Sequence, residues 1–178
     1  MNSSDGDNIS ARKDRETRLA SLYEEYYDRI ARYVYVRIGN RDEAQDIAGK
    51  VFLKALESLK SYQERGIPMQ AWLFRIAHNL VIDYYRKMHD QRTVPIDSVT
   101  VRDDADPAAI VEKNIELERV NRAMEQLTAE QKEVIGLRFF AGLTSKEVGS
   151  ILNKSDGAVR EMQRAGIEKL RSLLGVQC

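Results

Sequence analysis

The chain reads as all-α: two small helical domains joined by a flexible acidic linker. Three observations predict this. Apolar residues recur at steps of three and four along most of the chain, and Asn, Asp, Thr and Ser stand where helix starts need a side-chain acceptor. No segment of useful length alternates apolar and polar as a half-buried strand must. Between residues 89 and 111 the helical period lapses, and that stretch holds Pro95, Pro107 and five acids against two bases.

The elements follow in order. Residues 1–17, polar and rich in Ser and Asp at their start, read as a disordered tail. Leu19, Leu22, Tyr23, Tyr26, Ile30, Tyr33, Val34 and Ile38 form one helical stripe, which Gly39-Asn40 ends. Asn40 or Asp42 caps a second helix that buries Ala44, Ile47, Ala48, Val51, Phe52, Ala55 and Leu59. After a turn at residues 66–68, a third helix carries Trp72, Leu73, Ile76, Ala77, Leu80, Val81 and Tyr84, completing a domain over residues 18–88.

Residues 112–178 form the second domain. An amphipathic helix over 110–127 leads to Thr128, which caps another helix with Gln131 at capping-box spacing. Thr144 caps a short helix with the apolar face Val148, Ile151 and Leu152. Asn153-Lys154-Ser155 is a tight turn, and Ser155 or Asp156 caps a long helix running to about residue 174. On that helix Val159, Gln163, Gly166, Ile167, Leu170, Leu173 and Leu174 share one arc, with Arg160, Arg164, Glu168 and Arg171 beside it.

Composition excludes several classes. The 28 Lys and Arg balance 28 Asp and Glu over 178 residues, so the chain is neither a histone-like polycation nor an acidic tail. That balance hides two slightly basic domains, 15 bases to 13 acids in residues 1–88 and 11 to 10 in residues 112–178, around the acidic linker. The single cysteine, Cys178, rules out an internal disulfide, and two histidines, His78 and His89, give metal chemistry few ligands. No metal, cofactor or catalytic group is expected, nor a membrane span or signal peptide, so a soluble, cytoplasmic chain is.

Two constellations carry chemistry. The Thr144-to-Leu174 hairpin, with arginines near the start of its second helix, fits a helix-turn-helix major-groove reader, though the same arginines also suit a solvated face. The second is the text Tyr62-Gln63-Glu64-Arg65-Gly66-Ile67-Pro68-Met69-Gln70-Ala71-Trp72-Leu73-Phe74-Arg75-Ile76-Ala77-His78-Asn79-Leu80. Trp72, Arg75, Asn79, Asp83 and Arg86 lie along one side of its helix, beside a constrained loop. An aromatic with guanidinium and amide groups suits unpaired bases, while a lone helical tryptophan also suits a core. His78 has no partner visible in the sequence.

The second text, with Asp42-Glu43-Ala44-Gln45-Asp46-Ile47 before it and the helix-turn-helix after the linker, resembles the sigma-70 family, and within it the short extracytoplasmic-function group. The resemblance covers residues 19–87 (region two) and 117–174 (region four). It implies a subunit that binds core RNA polymerase and directs it to promoter DNA, held inactive by an anti-sigma factor. By that resemblance Trp72, Arg75 and Asn79 contact the melting minus-10 DNA, and Ile67, Pro68 and Met69 line the loop that receives a flipped base. Ser155, Arg160, Glu161, Gln163 and Arg164 serve the minus-35 element, and Asp46, Ile47 and Phe52 belong to the helix that grips the polymerase. The acidic linker, in the family, threads toward the RNA exit path. A stand-alone helix-turn-helix regulator, with the first domain as sensor or dimerisation unit, is the competing reading, and it leaves the Trp72–Asn79 text unexplained.

Overall fold

The computed structural model describes residues 3–62, 67–91 and 111–176, with side chains described for 6–62, 67–91 and 115–176. Among them every regular element is helical: α1 (Ser3–Ile38), α2 (Arg41–Ser58), α3 (Met69–Gln91), α4 (Val111–Glu125), α5 (Ala129–Ile135), α6 (Ser145–Leu152) and α7 (Asp156–Leu174), with a π-helical turn at Gly136–Phe140 continuing α5. The linker expected over 89–111 lies mostly outside the described residues; α3 extends into its first positions and α4 takes up its last.

One expectation is corrected at the N-terminus. Residues 3–17, read as part of a disordered tail, extend α1 outward from its packed section. Residues 6–14 are exposed, and helix-local bonds run along the stretch. Arg12 pairs with Glu16 at 2.8 Å, and Thr17 Oγ1 donates to the Lys13 carbonyl at 2.9 Å. Polar composition alone therefore misread a largely exposed helix.

The caps explain where the other helices start and stop. Gly39, at φ 74°, ends α1 in the left-handed region. Asn40 Oδ1 then accepts from the Glu43 amide at 3.0 Å to start α2. Thr128 with Gln131, and Thr144 with Glu147, form reciprocal capping boxes at α5 and α6. Asn153 closes α6 at φ 55°, and Ser155 Oγ accepts from the Ala158 amide at 3.1 Å to open α7.

The first lobe packs α1, α2 and α3 around Ile30, Tyr33, Val51, Phe52, Ala55, Leu73, Phe74 and Ala77, all buried. The second gathers α4 to α7 around Met124, Leu127, Val134, Ile135, Leu137, Val148 and Val159. The two lobes are in contact: one continuous apolar cluster runs from Leu19 of α1 to Val159 of α7, and Val36 of α1 joins a second cluster with Met124, Leu127 and Ile135. Gly136 permits the approach, since a Cβ there would come within 3.1 Å of the Tyr33 ring.

Glu133 of α5 is buried at this junction against three groups of the first lobe. Tyr33 Oη donates to its Oε2 at 2.9 Å, His78 Nδ1 lies 3.1 Å from the same oxygen, and the Arg37 guanidinium pairs with Oε1. Burial pushes the Glu133 carboxyl up, but the His78 hydrogen bond, the Arg37 and His78 charges and the Tyr33 hydroxyl together outweigh it and hold the group below its ordinary value. Burial beside that carboxylate raises the Tyr33 hydroxyl well above the ordinary phenol range. The Arg37 guanidinium also lies 5.7 Å from the centre of the Tyr85 ring.

Two outcomes follow. Gly49, exposed in the middle of α2, has nothing within 4 Å of a built Cβ. Gly49→Ala is expected to stabilise the protein by about 1 kcal/mol, read as a rise of ~2–4 °C in the thermal midpoint by circular dichroism; a fall would show that its backbone departs from ordinary helix. Glu133, with its folded carboxyl held below the ordinary 4.5, adds stability that is full above that value and is lost as pH falls through the folded value. The gap in thermal midpoint between the native chain and Glu133→Ala should therefore narrow on acidification below pH 4.5; a constant gap would mean that the carboxylate charge contributes nothing.

Candidate nucleic-acid interface

The loop before α3 is built around two aromatic rings. Tyr62 Oη donates to the Ile67 carbonyl at 3.1 Å, and its ring lies 4.7 Å from the Trp72 ring at an interplanar angle of 38°. The Trp72 amide bonds the Pro68 carbonyl at 3.1 Å, so the proline carbonyl closes the first turn of α3. Residues 63–66, which include the rest of the loop text, lie outside the described residues.

Trp72, Arg75 and Asn79 emerge along one side of α3, as the spacing requires. Trp72 is half-buried, one face against Tyr62, and Asn79 is exposed. Arg75 is also half-buried, and its Nη2 donates to the Ser150 carbonyl of α6 at 3.1 Å. The indole therefore belongs neither to the core nor wholly to solvent. Ile67 and Pro68 are half-buried at the loop surface. Met69 differs from expectation: it is the first residue of α3 and fully buried, so it supports the loop from beneath and lines no open pocket.

On α2, Ile47 and Phe52 point into the first lobe, Phe52 meeting the Tyr23 ring edge-on at 4.8 Å. The outward face instead carries Asp46, Leu53 and Leu56, with Leu53 at 57% and Leu56 at 52% exposure. The expected grouping of Asp46, Ile47 and Phe52 is thus divided by the helix. The periodicity that marked Ile47 and Phe52 as core was the better guide to where they point.

The second lobe forms the expected helix-turn-helix from α6, the turn at Asn153-Lys154 and α7. The Lys154 amide bonds the Gly149 carbonyl at 2.9 Å, and the Lys154 carbonyl crosses so near Gly149 that a Cβ there would sit 2.5 Å from it. Ser155, exposed, caps α7. Arg160 pairs with Asp156 at 2.9 Å, and its Nε lies 3.4 Å from Ser145 Oγ. Arg164 is exposed between Glu161 at 2.5 Å and Glu168 at 2.8 Å. Hydrogen bonding to Arg164 and its charge hold the Glu161 carboxyl below its ordinary value. Gln163 turns inward, accepting at 2.7 Å from Nε of Arg138, which also donates to the Leu143 carbonyl.

Sequence reasoning missed Glu133, Arg37, Arg138 and Gly149. His78, which had no visible partner, meets Glu133, a residue 55 positions away. Among the described residues no group of three or more His, Cys, Asp or Glu side chains is placed to hold a metal ion, and no helix is long and apolar enough to cross a membrane.

Comparison with known proteins places both lobes in one family. Residues 22–91 match the family described as Sigma-70 region 2, and residues 123–172 match Sigma-70, region 4. The ECF RNA polymerase sigma factor SigW of Bacillus subtilis is 30% identical over 173 residues, covering 92% of each chain. The ECF RNA polymerase sigma factor BldN of Streptomyces coelicolor is 29% identical over 155 residues, or 86% of this chain and 59% of that relative's length. In fold, the chain is similar to the sigma factor RpoE in its complex with the anti-sigma factor NepR from Bartonella quintana, with a TM-score of 0.69 at 21% identity over 89% of this chain and 98% of that one. With both region families matched in order and a relative aligned along nearly its whole length, the chain belongs to the sigma-70 family, among the extracytoplasmic-function RNA polymerase sigma factors.

Proposed function

We propose that this sigma factor binds core RNA polymerase in the cytoplasm and brings it to promoters. It contributes no catalytic residue, and the polymerase performs the chemistry. The observation that carries the reading in detail is the side of α3 where Trp72, Arg75 and Asn79 follow one another beside the Tyr62–Pro68 loop. A base leaving the duplex loses its stacking, and an indole already braced by Tyr62 offers a face to replace it. Arg75 and Asn79 supply a cation for the backbone and an amide for exposed base edges. Ile67 and Pro68 form the lip of the loop, and Met69 fixes its base.

In the second lobe, Arg160 and Arg164 at the start of α7 approach the minus-35 duplex, with Ser155 and Glu161 beside them. Gln163 acts from the inner side through Arg138. Each arginine already holds carboxylates, so binding exchanges an internal partner for phosphate, which supports a modest, salt-sensitive affinity for free DNA. The outer face of α2, Asp46 with Leu53 and Leu56, supplies the exposed apolar and acidic surface for the polymerase. An anti-sigma factor that covers such faces is the fitting negative regulator.

Transcription in vitro with purified core polymerase tests this reading. The native chain should start transcripts at a defined promoter. Trp72→Ala should reduce open-complex formation about tenfold or more, in line with ~1–3 kcal/mol per stacked base, and Asn79→Ala should reduce it as well, while core binding persists. Normal melting by both variants would remove α3 from the mechanism. Tight polymerase-free binding to a symmetric duplex would instead favour the stand-alone regulator.

A further inference from the structure

The two arginines at the start of α7 are held in different ways. Arg164 meets neighbours on its own helix, Glu161 at 2.5 Å and Glu168 at 2.8 Å, and all of its guanidinium nitrogens are engaged by them. It reaches DNA only by giving those carboxylates up. Arg160 is tied across the turn of the helix-turn-helix instead. Ser145, the buried first residue of α6, donates its hydroxyl to Oδ1 of Asp156, the first residue of α7. The other oxygen, Oδ2, pairs with Nη2 of Arg160 at 2.9 Å, and Nε of Arg160 donates back to Ser145 Oγ at 3.4 Å. The three side chains close a ring that joins α6 to α7.

That ring uses one edge of the guanidinium. Nε and one hydrogen of Nη2 face Ser145 and Asp156, so the end formed by Nη1 and Nη2 is turned away from them. The Arg160 side chain is 70% exposed despite the tie. An end-on fork of two N–H groups is what O6 and N7 of guanine accept in the major groove. An arginine without such a hold turns to the nearest phosphate, which carries no sequence information.

We propose that Asp156 is a positioning residue for minus-35 recognition: anchored through Ser145, it keeps Arg160 aimed at a guanine and off the phosphate backbone. This rests on the promoter-reading role assigned to α7. Exchange of carboxylate for phosphate then describes Arg160 on duplex at large, whereas at a cognate element Arg160 keeps Asp156 and reads the base with its free end. The Asp156 charge opposes phosphate everywhere, while its geometry favours one base pair, so it lowers general affinity and raises discrimination.

Holoenzyme binding to a pool of duplex promoter fragments randomised at both elements, with the bound fraction sequenced, tests this. Arg160→Ala marks the base pair that Arg160 reads, as the position whose preference vanishes. Asp156→Asn, similar in size but uncharged, should flatten guanine preference at that same position about tenfold and leave the other positions unchanged. Ser145→Ala, which removes the anchor from the far side of the turn, should flatten the same position, and Asp156→Glu, still able to pair with Arg160, should keep the preference. On a duplex of unrelated sequence, without polymerase, the full-length Asp156→Asn chain should bind more tightly than the native one, by about twofold or more. A merely structural role would instead weaken that binding and flatten every minus-35 position together. Full guanine preference in Asp156→Asn or Ser145→Ala overturns the proposal, as do a loss spread over all positions and weaker binding to the unrelated duplex. If Arg160→Ala changes no position although the native holoenzyme selects a minus-35 sequence, the proposal falls alone. If the native holoenzyme selects none, the promoter-reading role of α7 falls with it.

Discussion

The structure depends on one buried carboxylate and what surrounds it. Glu133 lies on α5, yet each of its polar partners, Tyr33, Arg37 and His78, belongs to the first lobe. An ionised carboxylate in an apolar junction is tolerated only where other polar groups replace water: Tyr33 and His78 do so at Oε2, and the Arg37 charge offsets Oε1. Such a group fixes arrangement more than it adds stability, because an apolar contact of the same shape does as well or better, whereas an unmatched partner is penalised by about 3–5 kcal/mol. The surrounding apolar clusters, Tyr33 and Val34 with Val134 and Leu137 and Val36 with Ile135, supply area without direction. Glu133 supplies the register.

That division of labour explains what was legible in the sequence. The helices were visible because amphipathic period and caps are local: Thr128 with Gln131, Thr144 with its apolar face and Gly39-Asn40 all act within a turn or two of themselves. The junction was not, since Tyr33 and Val34 fit the stripe of α1 whether they face α3 or α5, and nothing near His78 announces a carboxylate 55 residues on. The N-terminal section of α1 was misread for the opposite reason: its bonds are local, but its composition is that of a tail.

The candidate site was legible to the same depth. Text resembling a known family placed Trp72, Arg75 and Asn79 on one side of α3, because spacing on a helix determines direction. The polymerase-binding set was less well served. Asp46 is exposed, but Ile47 and Phe52 are core, and the exposed leucines of α2 are Leu53 and Leu56. Resemblance transfers positions along the chain; only the helical wheel says which of them reach a partner. Met69 makes the same point, a loop position by text and a buried anchor by geometry.

The arginines of the two proposed DNA-binding surfaces already have partners within the chain, and that occupancy is itself a physical property of the fold. Arg164 lies between two carboxylates, Arg160 against Asp156, and Arg75 against a backbone carbonyl of the other lobe. The exposed ion pairs of Arg160 and Arg164 are weak in water, so phosphate can displace them once a duplex is held in place, while their carboxylates offset the positive charge there. Balanced charge and internally paired arginines disfavour nonspecific binding to duplex, in keeping with the proposed reliance on a larger assembly. On the proposed function, selectivity then arises from where the polymerase places the two lobes, and the surfaces they carry need only discriminate once they are there.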